Sequence, residues 1–148
     1  MNQDIYVIIE HLQGQVADIS YITLAAARDL AQETGGQVVG VLLGHNAQEL
    51  ASTLAADKIL YADHPALAEF TADAYQLTVA SLIGENEPRA VLFGNTTIGA
   101  DVASVLSARL SLLLVSSCVN ISDGKLTSQI CGGKIMAESE LEIGRAHV

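Results

Sequence analysis

Short apolar runs recur along this chain, and the stretches between them carry the periodicity of helices. The runs fall at residues 5–9, 38–43, 58–61, 91–93 and 112–119. Asp18 or Ser20 can cap a first helix with apolar positions Ile19, Ile22, Ala26 and Leu30, and Gly35-Gly36 can end it. Asn46 can cap a shorter helix bearing Ala47, Leu50, Ala51 and Leu54. Beyond Pro65, a helix over residues 71–84 presents Ala74, Leu77 and Ser81 on one face. After the fourth run, Ile98, Val102, Val105 and Leu106 follow helical spacing. Strand and helix in alternation predict an α/β domain, a doubly wound parallel sheet with helices on both faces.

Past Ile121 the pattern changes. Ser122-Asp123-Gly124 is a turn signal between residues 119–121 and 126–131, and Gly132-Gly133 breaks the run that resumes at Lys134. This predicts an antiparallel β extension after the five βα units.

Composition narrows the function classes. The chain has 148 residues, half of them hydrophobic, which is enough for one packed core. Seven Lys and Arg, dispersed, face 17 Asp and Glu, for a net charge of −10. A nucleic-acid surface needs clustered cations to displace counterions, so no nucleic-acid partner is expected. Residues 1–4 are polar and acidic, without the basic start of a secretory signal. The longest apolar stretch, 110–121, is interrupted by Ser111, Ser116, Ser117 and Asn120, so membrane insertion is not expected. Cys118 and Cys131 fit no metal or redox spacing and read as buried thiols of a cytoplasmic protein.

The turn Asn95-Thr96-Thr97-Ile98-Gly99 follows a strand and opens a helix, which is where open α/β sheets place ligands. Two readings meet there. In one, the amides of residues 95–98 hold the phosphate of an adenine nucleotide, and Gly44 leaves room for its base or ribose. In the other, Asn95, Thr96 or Thr97 caps the helix, and Gly94 and Gly99 serve backbone geometry. The second is favoured, because no Lys or Arg lies near the turn and Glu10 would repel a phosphate. Gly94, Asn95, Thr96 and Thr97 therefore remain weak nucleotide-pocket candidates, and no cofactor is expected on this chain alone. The 94–99 spacing is neither a phosphate-binding P-loop nor a dinucleotide fingerprint. Glu10, His11 and His45 lack metal-site spacing, and Ser116-Ser117 lacks the glycines of a nucleophile elbow. No catalytic residue and no metal site are expected.

Three segments resemble the α subunit of electron-transfer flavoproteins. They are Tyr6-Val7-Ile8-Ile9-Glu10-His11, then Phe93 through Ala103 with Ser107-Ala108-Arg109-Leu110, then Cys131-Gly132-Gly133-Lys134-Ile135-Met136-Ala137. The resemblance covers residues 3 to 141 in order. One departure is Ser104-Val105, where the family often has Pro-Arg. The resemblance implies an adenine-nucleotide α-hydrolase-like fold. With the alternation and the right-handed crossover rule, it gives strand order 3-2-1-4-5. It also implies that FAD is held mainly by a second domain C-terminal to this one. The full protein would pair with a β subunit, which in the family carries the bound AMP. It would take electrons from flavin dehydrogenases such as acyl-CoA dehydrogenases to a respiratory or other redox acceptor. This region would be a scaffold and partner interface of an electron carrier, not a catalyst. A stand-alone adenine-nucleotide module of the universal-stress type is the alternative.

The last residues, Ile143-Gly144-Arg145-Ala146-His147-Val148, match one translated frame of a common sequencing adapter. The expectation is a domain over residues 1–142 and a non-native tail over 143–148. Residues beyond Ala137 are expected to be poorly ordered, and the tail to make no persistent contacts.

Overall fold

The computed structural model describes residues 3–69, 71–94 and 96–110, and the strand segments 113–114, 118–122, 125–130, 135–140 and 146–147. The chain starts with β1 (Ile5–Ile8), then a small hairpin of β2 (His11–Leu12) and β3 (Gln15–Val16), then helix α1 (Asp18–Thr34). Next come β4 (Val38–Gly44), a 3-10 turn (Gln48–Thr53), β5 (Lys58–Asp63), a second 3-10 turn (Pro65–Leu67) and α2 (Ala72–Asn86). β6 (Ala90–Leu92) leads into α3 (Thr97–Leu110). The remaining strands are β7 (Leu113–Leu114), β8 (Cys118–Ser122), β9 (Lys125–Ile130), β10 (Ile135–Glu140) and β11 (Ala146–His147).

The main sheet runs β5-β4-β1-β6-β11-β7, and its pairings are parallel. The first four βα strands follow the expected 3-2-1-4 order, with β5 at the edge. The sheet has six strands rather than five, because Ala146–His147 lies between β6 and β7. That placement differs from the expectation of a tail without contacts. The physical reason is the backbone: strand edges carry N–H and C=O groups that any extended segment can satisfy, whatever its side chains.

The run over residues 112–119 is also divided. Leu113–Leu114 joins the main sheet, while Cys118 opens the separate three-stranded antiparallel sheet β10-β9-β8. That sheet is the expected β extension, with a register shift between Cys118 and Asn120. Its Ser122–Lys125 pairing frames the predicted turn, whose Asp123 and Gly124 lie outside the described residues, as do Cys131–Lys134.

Side-chain alternation along the central strands builds two cores, one on each face. Ile5, Val7, Val38, Leu42 and Leu92 pack with Leu24, Ala27, Leu30 and Ala31 of α1. Tyr6, Ile8, Val39, Val41, Leu43 and Val91 pack with Tyr75, Val79 and Ile83 of α2 and with Val102, Ala103 and Leu106 of α3. All seven residues of β4 are buried, as expected of a strand covered on both faces. Each fully buried Leu or Ile contributes about 1.5–3 kcal/mol by leaving water.

The helix faces differ from the sequence reading. Ile22 is 64% exposed, Leu77 58%, Val105 41% and Ile98 38%. In α2 the buried stripe is Tyr75, Val79 and Ile83, not Ala74, Leu77 and Ser81. α2 and α3 carry apolar residues on more than one face, so periodicity admits more than one stripe. The caps differ too. α1 starts after Ala17 with no side-chain cap, leaving Ser20 for another task, and Asn46 sits at φ 55 ahead of a 3-10 turn whose N-cap is Ala47. Gly35 ends α1 at φ 79, donating its N–H to the Ala31 carbonyl as predicted.

Candidate functional site at the carboxyl edge of the sheet

The carboxyl ends of β1, β4 and β6 meet where the strand order reverses. In a doubly wound sheet this is the place for a ligand. Here Glu10 and the N-cap of α3 come together.

Thr96 takes the capping position of α3. Its Oγ1 accepts from the Gly99 amide at 3.0 Å, and its carbonyl accepts the first helical bond, from Ala100 at 2.8 Å. That is the N-cap geometry, with the side chain satisfying the third helical amide. The same hydroxyl donates to Glu10 Oε1 at 2.5 Å. A carboxylate thus faces the positive end of the helix, the charge the macrodipole favours. The other Glu10 oxygen, Oε2, is buried without a hydrogen-bond partner among the described residues.

Two glycines make this approach sterically possible. A Cβ on Gly94 would stand 2.7 Å from Glu10 Oε2 and 3.0 Å from Ile19 Cγ1. A Cβ on Gly99 would stand 2.1 Å from the Gly94 carbonyl oxygen. The turn is tightened further by Thr96 N–H donating to the Gly94 carbonyl at 2.8 Å.

Glu10 is positioned by buried Ser20, whose Oγ accepts from the Glu10 amide at 2.8 Å and donates to the Glu10 carbonyl at 3.3 Å. The hairpin after Glu10 turns through Gln13 (φ 52) and Gly14 (φ 79), the paired left-handed conformations of a two-residue β turn. It brings His11 back onto β4, where Nε2 donates to the Leu43 carbonyl at 2.6 Å. Tyr75 Oη donates to the same carbonyl at 3.3 Å. Burial raises the Tyr75 phenol above its ordinary 10.0, and the nearby Glu10 charge adds to this.

The space over Gly44 is occupied. A Cβ there would meet Ala47 Cβ at 3.0 Å and the His11 ring at 3.2 Å. His45 Nδ1 donates to Asp63 Oδ1 at 3.0 Å, Asn46 N–H donates to the same oxygen at 3.3 Å, and Tyr61 Oη accepts from the Ala47 amide at 2.9 Å. The His45 bond is the main cause holding the Asp63 carboxyl below its ordinary 3.8. His11 and His45 thus face different partners. Among the described residues no group of three or more His, Cys, Asp or Glu could hold a metal ion. His64 caps the second 3-10 turn by accepting from the Ala66 amide at 3.0 Å.

Of the weak pocket candidates, Gly94 and Thr96 sit at the switch point as described; Asn95 and the Thr97 side chain lie outside the described residues. The described cations of the βα layers stand elsewhere. Arg28 pairs with Asp57 at 2.7 Å ahead of β5, Lys58 starts β5, Arg89 precedes β6, and Arg109 is in the last turn of α3. Sequence reasoning placed Glu10 and Thr96 at one edge but missed their bond, the Ser20 brace and the shared Leu43 carbonyl. Two acceptor-seeking side chains, His11 and Tyr75, were the available signal for the last.

A doubly wound α/β domain with a carboxylate against a capped helix at its switch point is the class this geometry defines. The electron transfer flavoprotein domain matches residues 5–145, and the chain belongs to that family. It is 32% identical over 149 residues to electron transfer flavoprotein subunit alpha of Bacillus subtilis (strain 168), covering 99% of this chain and 43% of that protein. It is 35% identical over 122 residues to acryloyl-CoA reductase electron transfer subunit beta of Anaerotignum propionicum, covering 80% of this chain and 33% of that protein. Electron transfer flavoprotein subunit alpha of Megasphaera elsdenii is 33% identical over 143 residues, 90% of this chain and 42% of that protein. The chain thus spans a third to somewhat over two-fifths of the length of these relatives. No helix among the described residues is long and apolar enough to cross a membrane.

Proposed function

We propose that residues 1–142 are the N-terminal domain of an α-type electron-transfer flavoprotein subunit and serve as scaffold and partner interface. The reading rests on the family membership and the similarity to α subunits. The single structural observation that supports it is the Glu10–Thr96 contact, which sets a side-chain carboxylate against the N-cap of α3. In this reading the domain carries no catalytic residue and no flavin of its own. FAD is held by protein C-terminal to it, and supplies the redox chemistry when bound. The whole protein pairs with a β subunit in the cytoplasm and carries electrons from flavin dehydrogenases, such as acyl-CoA dehydrogenases, to a redox acceptor.

Co-expression of the tagged chain with an electron-transfer flavoprotein β subunit tests the interface. The expected result is co-elution of the two chains on gel filtration. Separate elution of the two would contradict the interface role. Micromolar binding of AMP or ATP to the chain alone would favour a stand-alone nucleotide module instead.

A further inference from the structure

We propose that Glu10 is the residue that closes the sheet's switch point to anionic ligands, its carboxylate standing in the position a phosphate would take at the N-terminus of α3. This rests on the scaffold reading above and supplies the residue responsible for it.

Three observations carry the inference. The first is proximity: Glu10 Oε1 accepts from the N-cap hydroxyl of Thr96, which itself accepts from the Gly99 amide. A helix N-terminus offers donors to an anion, and here the anion is part of the chain. The second is the unpaired Glu10 Oε2, a buried acceptor with no donor among the described residues. A second anion placed beside the Glu10 carboxylate is repelled by its charge. The third is the clearance at Gly94, where a Cβ would stand 2.7 Å from that same oxygen. The backbone has no side chain here, and the space is taken by the carboxylate rather than left for a ligand.

The charge map agrees. Asp63 lies at the same edge of the sheet as Glu10, at the end of β5, while Lys58 and Arg89 lie at the starts of strands, at the opposite edge. Backbone amides and a helix dipole alone hold an anion only weakly near a surface. That is too little to displace a carboxylate already in place.

The test compares the 148-residue chain with Glu10→Gln and Glu10→Ala. Gln keeps the side-chain volume and an oxygen for Thr96 while removing the charge; Ala empties the position. AMP binding is measured by calorimetry. Thermal midpoints are measured in inorganic phosphate and in sodium chloride at equal ionic strength. The wild-type chain is expected to show no AMP heat at millimolar ligand and no phosphate-specific rise in midpoint. Glu10→Gln is expected to bind AMP at least about tenfold more tightly than the wild-type bound, which corresponds to about 1.4 kcal/mol, and to gain a phosphate-specific rise. If both variants keep the wild-type circular dichroism and bind no more AMP or phosphate than wild type, Glu10 is not the barrier; the scaffold reading then still stands. A phosphate-specific rise or micromolar AMP affinity in the wild-type chain, which needs no variant to fold, overturns both.

Discussion

Gly99 rests on the carbonyl oxygen of Gly94, so closely that a Cβ on Gly99 would stand 2.1 Å from it. The contact seats the first turn of α3 on the end of β6 and leaves no space for a methyl group. The atom in the way is backbone, so it cannot swing aside as a flexible side chain would. Gly99→Ala is therefore expected to destabilise the domain by about 1–3 kcal/mol, the cost of forcing extra volume into a packed site. Urea unfolding followed by circular dichroism measures this. An unchanged midpoint would show that α3 does not sit on Gly94 in solution.

Thr96 joins the helix cap to Glu10, and its two bonds can be separated by substitution. Thr96→Val removes both the acceptor for Gly99 N–H and the donor to Glu10. The expected loss is about 0.5–2 kcal/mol for the cap. Thr96→Ser keeps the hydroxyl and is expected to recover most of it. Equal stability of the Val and Ser variants would contradict the capping assignment.

The two faces of α3 give a sharper test of the fold. Leu106 is fully buried against the sheet, while its neighbour Val105 is 41% exposed. Leu106→Ala is expected to cost about 2–5 kcal/mol. Val105→Ser is expected to stay within about 0.5 kcal/mol of wild type, as surface substitutions do. Comparable losses at the two positions would mean that the helix is rotated relative to the sheet.

How much of this was legible beforehand depended on whether a feature is local. The strands were readable, because residues 5–9 and 91–93 are apolar at every position and residues 38–43 at every position but Gly40. Helix rotation was not: Leu77, Ile98 and Val105 are as hydrophobic as the residues that turn inward, and only the sheet beneath selects among them. Ala146–His147 was misjudged because strand pairing uses backbone groups that the side-chain pattern does not reveal. Among the candidate site residues, Glu10 and Thr96 were placed at one edge of the sheet from topology alone. Their hydrogen bond spans 86 residues of sequence and needed the folded geometry of β1 against α3. Thr96 caps α3, one of the three caps the sequence offered for that helix.

Acid should weaken the domain partly through Asp57. The Val38 amide N–H is the largest cause holding its carboxyl below the ordinary 3.8, and the Arg28 guanidinium adds to it. A group whose folded value is depressed gives stability that is fully present above the unfolded value and is lost as pH falls through the folded one. Asp57→Asn is thus expected to be less stable than wild type at neutral pH, with the gap closing once pH drops below 3.8. Thermal melting across an acid series reads this. A gap that persists undiminished at the lowest pH would show that the carboxylate charge contributes nothing.

The central claim is that this domain is a scaffold whose own side chains occupy the sheet's ligand position. The most direct measurement is a visible absorption spectrum of the purified chain after incubation with excess FAD and gel filtration. The account predicts that the protein peak carries no flavin absorbance. Stoichiometric flavin eluting with the chain would contradict it.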